Sequence, residues 1–213
     1  MTMPVARPSK EEVVAAFRRK ALLEAASRVF GAKGFEDATM EAIAERAGVA
    51  KGTVYLYYPS KQSIYDATFA AGTLELTRLT DEAVRAAPSV KAAIAAFVET
   101  RVTYFQQHSD YFRLYVTEIS RMVSDRGPRK GVCRNALESH TRVLQQVIAG
   151  AVQAGEARAV DPAATAMAIF DITRGLVARR FTTSARSDAA RDIEFLTDLI
   201  WAGLRPGPEG HTA

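Results

Sequence analysis

The chain is short of the residues from which most active sites and covalent staples are made. Of 213 residues, one is cysteine and three are histidine. The lone thiol, Cys133, has no partner for an internal disulfide, and no Cys/His cluster has ligand spacing, so neither a disulfide framework, a metal nor a cofactor is expected. Such cysteine usage fits a reducing cytoplasm. Long apolar runs are also missing. The most apolar stretch, Ala163 to Ala178, is broken by Asp171 and Arg174, and Met1 to Pro8 has no apolar signal core. No membrane span, membrane partner or export signal is expected, and the expected location is the cytoplasm. Charge is nearly balanced: the net +4 divides into +2 for residues 1–66 and +2 for residues 67–213, so bulk charge marks no polyanion-binding half.

Enzyme constellations are missing as well. His108, Ser109 and Asp110 supply the residue types of a triad, but adjacent side chains point in different directions and cannot converge. There is no phosphate-cradling glycine pattern and no His-Glu-x-x-His, and His108, His140 and His211 are widely spread. A catalytic role is therefore not expected.

What is present favours helix. Hydrophobic residues make up 48% of the chain and alanine is abundant, and alanine loses no side-chain entropy on helix formation. The eight prolines fall between periodic segments or in the tails, never inside a strong helical pattern. The spacing predicts an all-α fold of nine helices. The first starts at a capping box, Ser9-Lys10-Glu11-Glu12, turns Val14, Phe17, Ala21, Ala25 and Val29 to one face, and stops near Gly31 to Gly34. The others are predicted at Thr39–Ala47, Lys51–Tyr57, Ser60–Arg85, Val90–Gln107, Tyr111–Val123, Gly131–Ala154, Pro162–Phe181 and Asp188–Leu204. The long fourth helix would join an N-terminal domain, residues 9–66, to a C-terminal domain, 67–205, with disordered tails at 1–8 and 206–213.

Residues 39–61 have the layout of a helix-turn-helix: a short helix, a tight turn at Gly48, and a second short helix able to enter a DNA major groove. Gly48 suits the left-handed conformation that closes a helix, and Ala44 is small where two helices approach. Gly52, in the first turn of the next helix, lowers helix stability by about 1 kcal/mol relative to alanine. Its presence makes sense if something must come very close to the backbone. A purely helical protein-binding scaffold would leave Gly52 and the basic start of this helix unexplained.

The run Gly48-Val-Ala-Lys-Gly-Thr-Val-Tyr-Leu-Tyr-Tyr-Pro-Ser-Lys61, with Phe30-Gly-Ala-Lys-Gly-Phe35 and Thr39-Met-Glu-Ala-Ile-Ala44 upstream, resembles the DNA-binding domain of the TetR family (TetR/AcrR type) over about Lys20 to Ala67. Two positions depart from that pattern: Ala50 where a polar cap is common, and Gln62 where glutamate is common. The resemblance implies that Thr39, Tyr55, Tyr57 and Lys61 hold phosphates while Lys51, Gly52, Thr53 and Leu56 face bases. For Tyr55 a place in the core is the alternative, and for Lys10, Arg18 and Arg19 a solvated face is preferred over backbone contacts.

The same resemblance implies a C-terminal ligand-binding and dimerisation domain. The partners would be a pseudo-palindromic DNA operator, an unidentified small-molecule effector and a second copy of the chain. Candidate pocket residues are Tyr104, Phe105, His108, Phe112, Tyr115, Glu118 and Arg174, a composition equally suited to an ordinary core. Candidate dimer residues are Phe170, Phe181, Leu196, Ile200 and Trp201. The expected function is a transcriptional repressor that its effector releases from DNA.

Overall fold

The computed structural model of the chain describes residues 9–124, 130–182 and 188–207, without the side chains of 120–138. Among them are nine helices and no strand: α1 (Lys10–Asp37), α2 (Met40–Ala47), α3 (Lys51–Tyr57), α4 (Lys61–Arg85), α5 (Val90–Gln107), α6 (Ser109–Ser124), α7 (Lys130–Gln153), α8 (Pro162–Thr182) and α9 (Ala189–Leu204). The all-helical architecture expected from the sequence is the one observed. The expected tail 1–8, most of the tail 206–213 and the side chain of Cys133 lie outside the described residues.

Most helix starts are local chemistry. Ser9 and Glu12 exchange hydrogen bonds: the Ser9 Oγ accepts from the Glu12 N–H at 3.2 Å and the Glu12 carboxylate accepts from the Ser9 N–H at 2.7 Å. Thr39, Ser89 and Asp188 cap α2, α5 and α9 through their side-chain oxygens. Each satisfies a backbone donor that a helix start leaves open.

Helix α1 departs from its expected form. It runs through Gly31 and breaks only at Gly34, where φ is +75°. Its buried stripe is Leu22, Ala25, Ala26, Val29 and Phe30. Val14 and Phe17, expected on that stripe, are exposed, Phe17 by 74%. At about 100° per residue, the five positions from Phe17 to Leu22 turn Phe17 roughly 140° away from the stripe.

The chain forms two compact units. One holds the described residues up to Gly72 together with Ser109–Glu118; the other holds Thr73–His108 and the residues from Ile119 on. In the first unit α1 packs on α2 and α2 on α3. Leu22, Ile43, Val54, Ile64 and Tyr65 are buried there, and Phe30 and Phe35 meet the Tyr65 ring edge-on at 4.9 and 5.0 Å.

The first part of α6 completes this unit. The Tyr65 hydroxyl donates to Glu118 Oε1 at 2.7 Å, and the Tyr111 hydroxyl donates to the Phe69 carbonyl at 3.1 Å. Gly31 and Gly72 make room for it. A Cβ on Gly31 would lie 2.5 Å from the Asp110 carbonyl oxygen, and one on Gly72 would run into the Tyr111 ring.

In the second unit α5 packs against α7, α8 and α9, and α7 against α8. Ile94, Phe97, Leu144, Ile148 and Phe170 are sealed inside. Each such side chain contributes about 1.5–3 kcal/mol relative to leaving it exposed.

Candidate nucleic-acid interface

Helix α2 ends in a turn of fixed geometry. Gly48 is left-handed at φ +67°, ψ 33°; its N–H donates to the Glu45 carbonyl at 3.1 Å and the Val49 N–H to the Ala44 carbonyl at 3.0 Å. This pair of bonds reverses the chain within two residues, so that α3 starts at Lys51. Ala50, at the N-cap of α3, offers no side-chain hydrogen bond.

Helix α3 is seven residues long and only Val54 is buried, at 0% exposure. Ile43 and Ala44 on α2 are also buried, and α2 packs on α3. Lys51, Gly52, Tyr55 and Leu56 are exposed, Leu56 by 79%, while Thr53 and Tyr57 are half-buried. A Cβ built on Gly52 would meet nothing within 4 Å. No packing among the described residues therefore demands glycine at this position.

The cations around α3 are individually placed. Lys51 forms an ion pair with Glu41 of α2 and lies over the Tyr55 ring, 5.7 Å from its centroid. The ammonium of Lys61, expected on phosphate, donates to the Glu36 carbonyl at 2.9 Å and lies over the Phe35 ring at 4.6 Å. It thus ties down the end of α1, with further N–H donors on the same nitrogen.

Arg19, which the sequence reading favoured as a solvated side chain, stands over the Tyr57 ring at 5.7 Å. Burial raises the Tyr58 phenol above its usual range and the charge of Arg19 opposes that rise. A guanidinium stacked on tyrosine keeps its edge donors in a fork that matches a phosphate. The signal available in the sequence was that Arg19 precedes Leu22 and Ala26 by three and seven residues, which continues their face of α1.

Residues 22–68 match the family of bacterial regulatory proteins of the tetR type. The chain carries a DNA-binding domain of the TetR type over these residues. It is 25% identical to the HTH-type transcriptional regulator YhgD of Bacillus subtilis, covering 75% of this chain and 82% of that protein. It is 35% identical to the HTH-type transcriptional activator FasR of Mycolicibacterium smegmatis, over 47% of this chain and 48% of that one. The fold is similar to that of FadR from Bacillus subtilis, solved with stearoyl-CoA, at a TM-score of 0.75, with 19% identity, 86% of this chain covered and 98% of that chain. The matching domain and these relatives are those of helix-turn-helix transcriptional regulators.

The residues expected to line an effector pocket do not all lie in one unit. Phe112, Tyr115 and Glu118 belong with the helix-turn-helix, whereas Tyr104, Phe105, His108 and Arg174 are in the second unit. Tyr104 and Phe105 are buried; burial first, and then Glu75, pushes the Tyr104 phenol up to about 12. His108 is the exposed C-cap of α5 with its ring against Tyr104, and Arg174 pairs with Asp171 at 3.0 Å on its own helix.

Two polar residues lie in that interior without a local sequence signal. The Arg101 guanidinium is 1% exposed and stacks on Phe170 at 4.6 Å, with Phe97 and Phe105 at 5.4 and 6.0 Å. His140 is buried, with Nδ1 2.9 Å from the Thr77 hydroxyl. Burial, and secondarily Arg101, push its imidazole down to about 3.

Three of the residues expected to meet a second copy are enclosed by their own chain: Phe170 under Arg101, and Leu196 and Ile200 on the buried side of α9. Phe181 is exposed and Trp201 half-buried. The large apolar side chains open to solvent on α8 and α9 are Ile172, Phe181, Phe195 and Leu199, Phe195 by 69%.

Among the described residues no helix is long and apolar enough to cross a membrane.

Proposed function

We propose that this protein is a homodimeric repressor that works in the cytoplasm, without catalysis, and leaves its operator when a small molecule binds. The observation that carries the reading is α3, of which Val54 is the one fully buried residue, with Lys51, Gly52, Tyr55 and Leu56 open to solvent. Thr53, with Lys51, Gly52 and Leu56, would face bases; Thr39, Tyr55, Tyr57 and, through its remaining donors, Lys61 would hold phosphates. Residues 9–66 would supply the DNA-binding domain and 67–205 the effector and dimer domain.

A second copy we place against Ile172, Phe181, Phe195 and Leu199, since an exposed apolar patch of this kind marks an association surface. Paired recognition helices would then meet half-sites about 34–36 Å apart in a pseudo-palindromic duplex. The effector we place near Tyr104, Phe105, Arg101 and His140, where a few polar groups stand among aromatic rings. FadR of Bacillus subtilis was solved with stearoyl-CoA, which makes long-chain acyl-CoA the first probe. Release requires the effector to favour a spacing of the recognition helices that DNA does not fit, because equal affinity for both states shifts nothing.

Fluorescence anisotropy with duplexes from the chain's own upstream region tests the DNA reading. Affinity is expected to fall steeply from 50 to 200 mM salt, as counterion release demands. Salt-insensitive or absent binding would refute it. Addition of stearoyl-CoA or another thermal-shift hit is expected to dissociate the complex; tighter binding would turn repression with release into effector-assisted regulation.

A further inference from the structure

A carboxylate beside the leading lysine of a recognition helix is an unexpected choice, because it repels the phosphates that supply most affinity for DNA of any sequence. Glu41 stands there. It lies in the first turn of α2, two residues after the capping Thr39, and its Oε1 forms an ion pair with Lys51 Nζ. Both side chains are about half exposed, so solvent screens the pair and its contribution to folding is slight. The Lys51 ammonium also lies over the Tyr55 ring.

Resting on the DNA-binding reading above, we propose that Glu41 is a specificity-determining residue, which occupies Lys51 so that the lysine is withheld from phosphates of arbitrary sequence. Lysine is a flexible point charge and takes any phosphate within reach. With Glu41 as its partner, each phosphate contact of Lys51 must first displace a carboxylate, a cost that weighs most on a duplex offering the lysine nothing but phosphates. Only a site that also offers acceptors in the groove, such as guanine O6 and N7, compensates by taking the ammonium while other α3 contacts form. Specificity is a difference of affinities, and a fixed like charge against the wrong partner raises that difference. The mutual effect of the pair is visible in both groups: Lys51 holds the Glu41 carboxyl below its usual range, and Glu41 raises the Lys51 ammonium above its own.

The test compares the unmodified chain, Glu41→Gln, Lys51→Ala and the double variant. Each is titrated against a duplex selected by the chain from a random-sequence library and against a scrambled duplex of equal length. Glu41→Gln is expected to tighten binding to the scrambled duplex by about threefold or more, the scale of an exposed ion pair, with a smaller gain on the selected one. The ratio of the two affinities therefore falls. In the Lys51→Ala background the same change is expected to leave the ratio unaltered. The proposal is overturned if the ratio holds in the single variant, or if it changes equally without Lys51, which would mean that Glu41 meets DNA itself. It is also overturned if Glu41→Gln weakens the selected duplex alone. Absence of salt-dependent binding by the unmodified chain would instead remove the DNA-binding reading, and this inference with it.

Discussion

Replacing Gly52 by alanine sets the stability of α3 against its proposed task. Among the described residues the added methyl meets no atom within 4 Å, and Gly52 has no positive φ that alanine would resist. Folding alone therefore favours the change: alanine exceeds glycine by about 0.5–1 kcal/mol inside a helix, and less in the first turn. For a chain of this length that corresponds to a rise in Tm of roughly 1–4 °C. If DNA backbone or bases approach Gly52 to van der Waals distance, the methyl costs about 1–3 kcal/mol of overpacking in the complex. At 1.4 kcal/mol per decade that is about a 5- to 150-fold loss of affinity. The assay is paired: thermal unfolding of the free variant, and anisotropy titration of the same preparation with a selected duplex. A more stable variant that binds DNA as tightly as the unmodified chain would refute the reasoning. A less stable one would show that the methyl is not in open space.

Arg19→Ala is expected to weaken binding to every duplex alike and to reduce the salt slope by about one unit, as loss of one phosphate contact requires; an unchanged slope would return Arg19 to the solvated surface. Gly31→Ala is expected to lower Tm by a few degrees, because crowding the Asp110 backbone costs about 1–3 kcal/mol against a helix gain of at most about 1 kcal/mol; a rise in Tm would mean that α6 yields freely. His140 in the folded chain titrates near 3, below its ordinary 6.5, so the unfolded chain takes up the proton first on acidification. Its contribution is complete above pH 6.5 and is lost as pH falls toward 3, by on the order of 1.4 kcal/mol per unit. Urea unfolding at pH 7.5, 6 and 5 is expected to show a flatter pH dependence for His140→Gln; parallel curves would contradict the assignment.

The helix starts were legible because their determinants are local. Ser9 with Glu12, and Thr39, Ser89 and Asp188 each with a backbone N–H two or three residues on, act within one turn. The turn at Gly48 was legible for the same reason. Contacts between distant segments were not. Gly31 looked like a helix stop, but it is a landing for Asp110 of α6, which no local pattern announces. On α9 two apolar pairs run side by side, Leu196 with Ile200 and Phe195 with Leu199; periodicity marks both and cannot say which faces the chain's own core. Arg101 occupies a position of the buried stripe of α5, four residues from both Phe97 and Phe105. Arginine is rarely buried, so the residue type itself points to the surface.

Because Tyr65, Phe69 and Gly72 receive their cover from Tyr111, Tyr115 and Glu118, cutting the chain after α4's first turns strips away part of its own lining. A grafted or excised headpiece made from the first 72 residues alone would carry a raw apolar wound and a phenol robbed of its acceptor. Chimeras that exchange DNA preference between regulators of this kind need two pieces of polypeptide transplanted together, the second being ten residues from the middle of the donor's sequence.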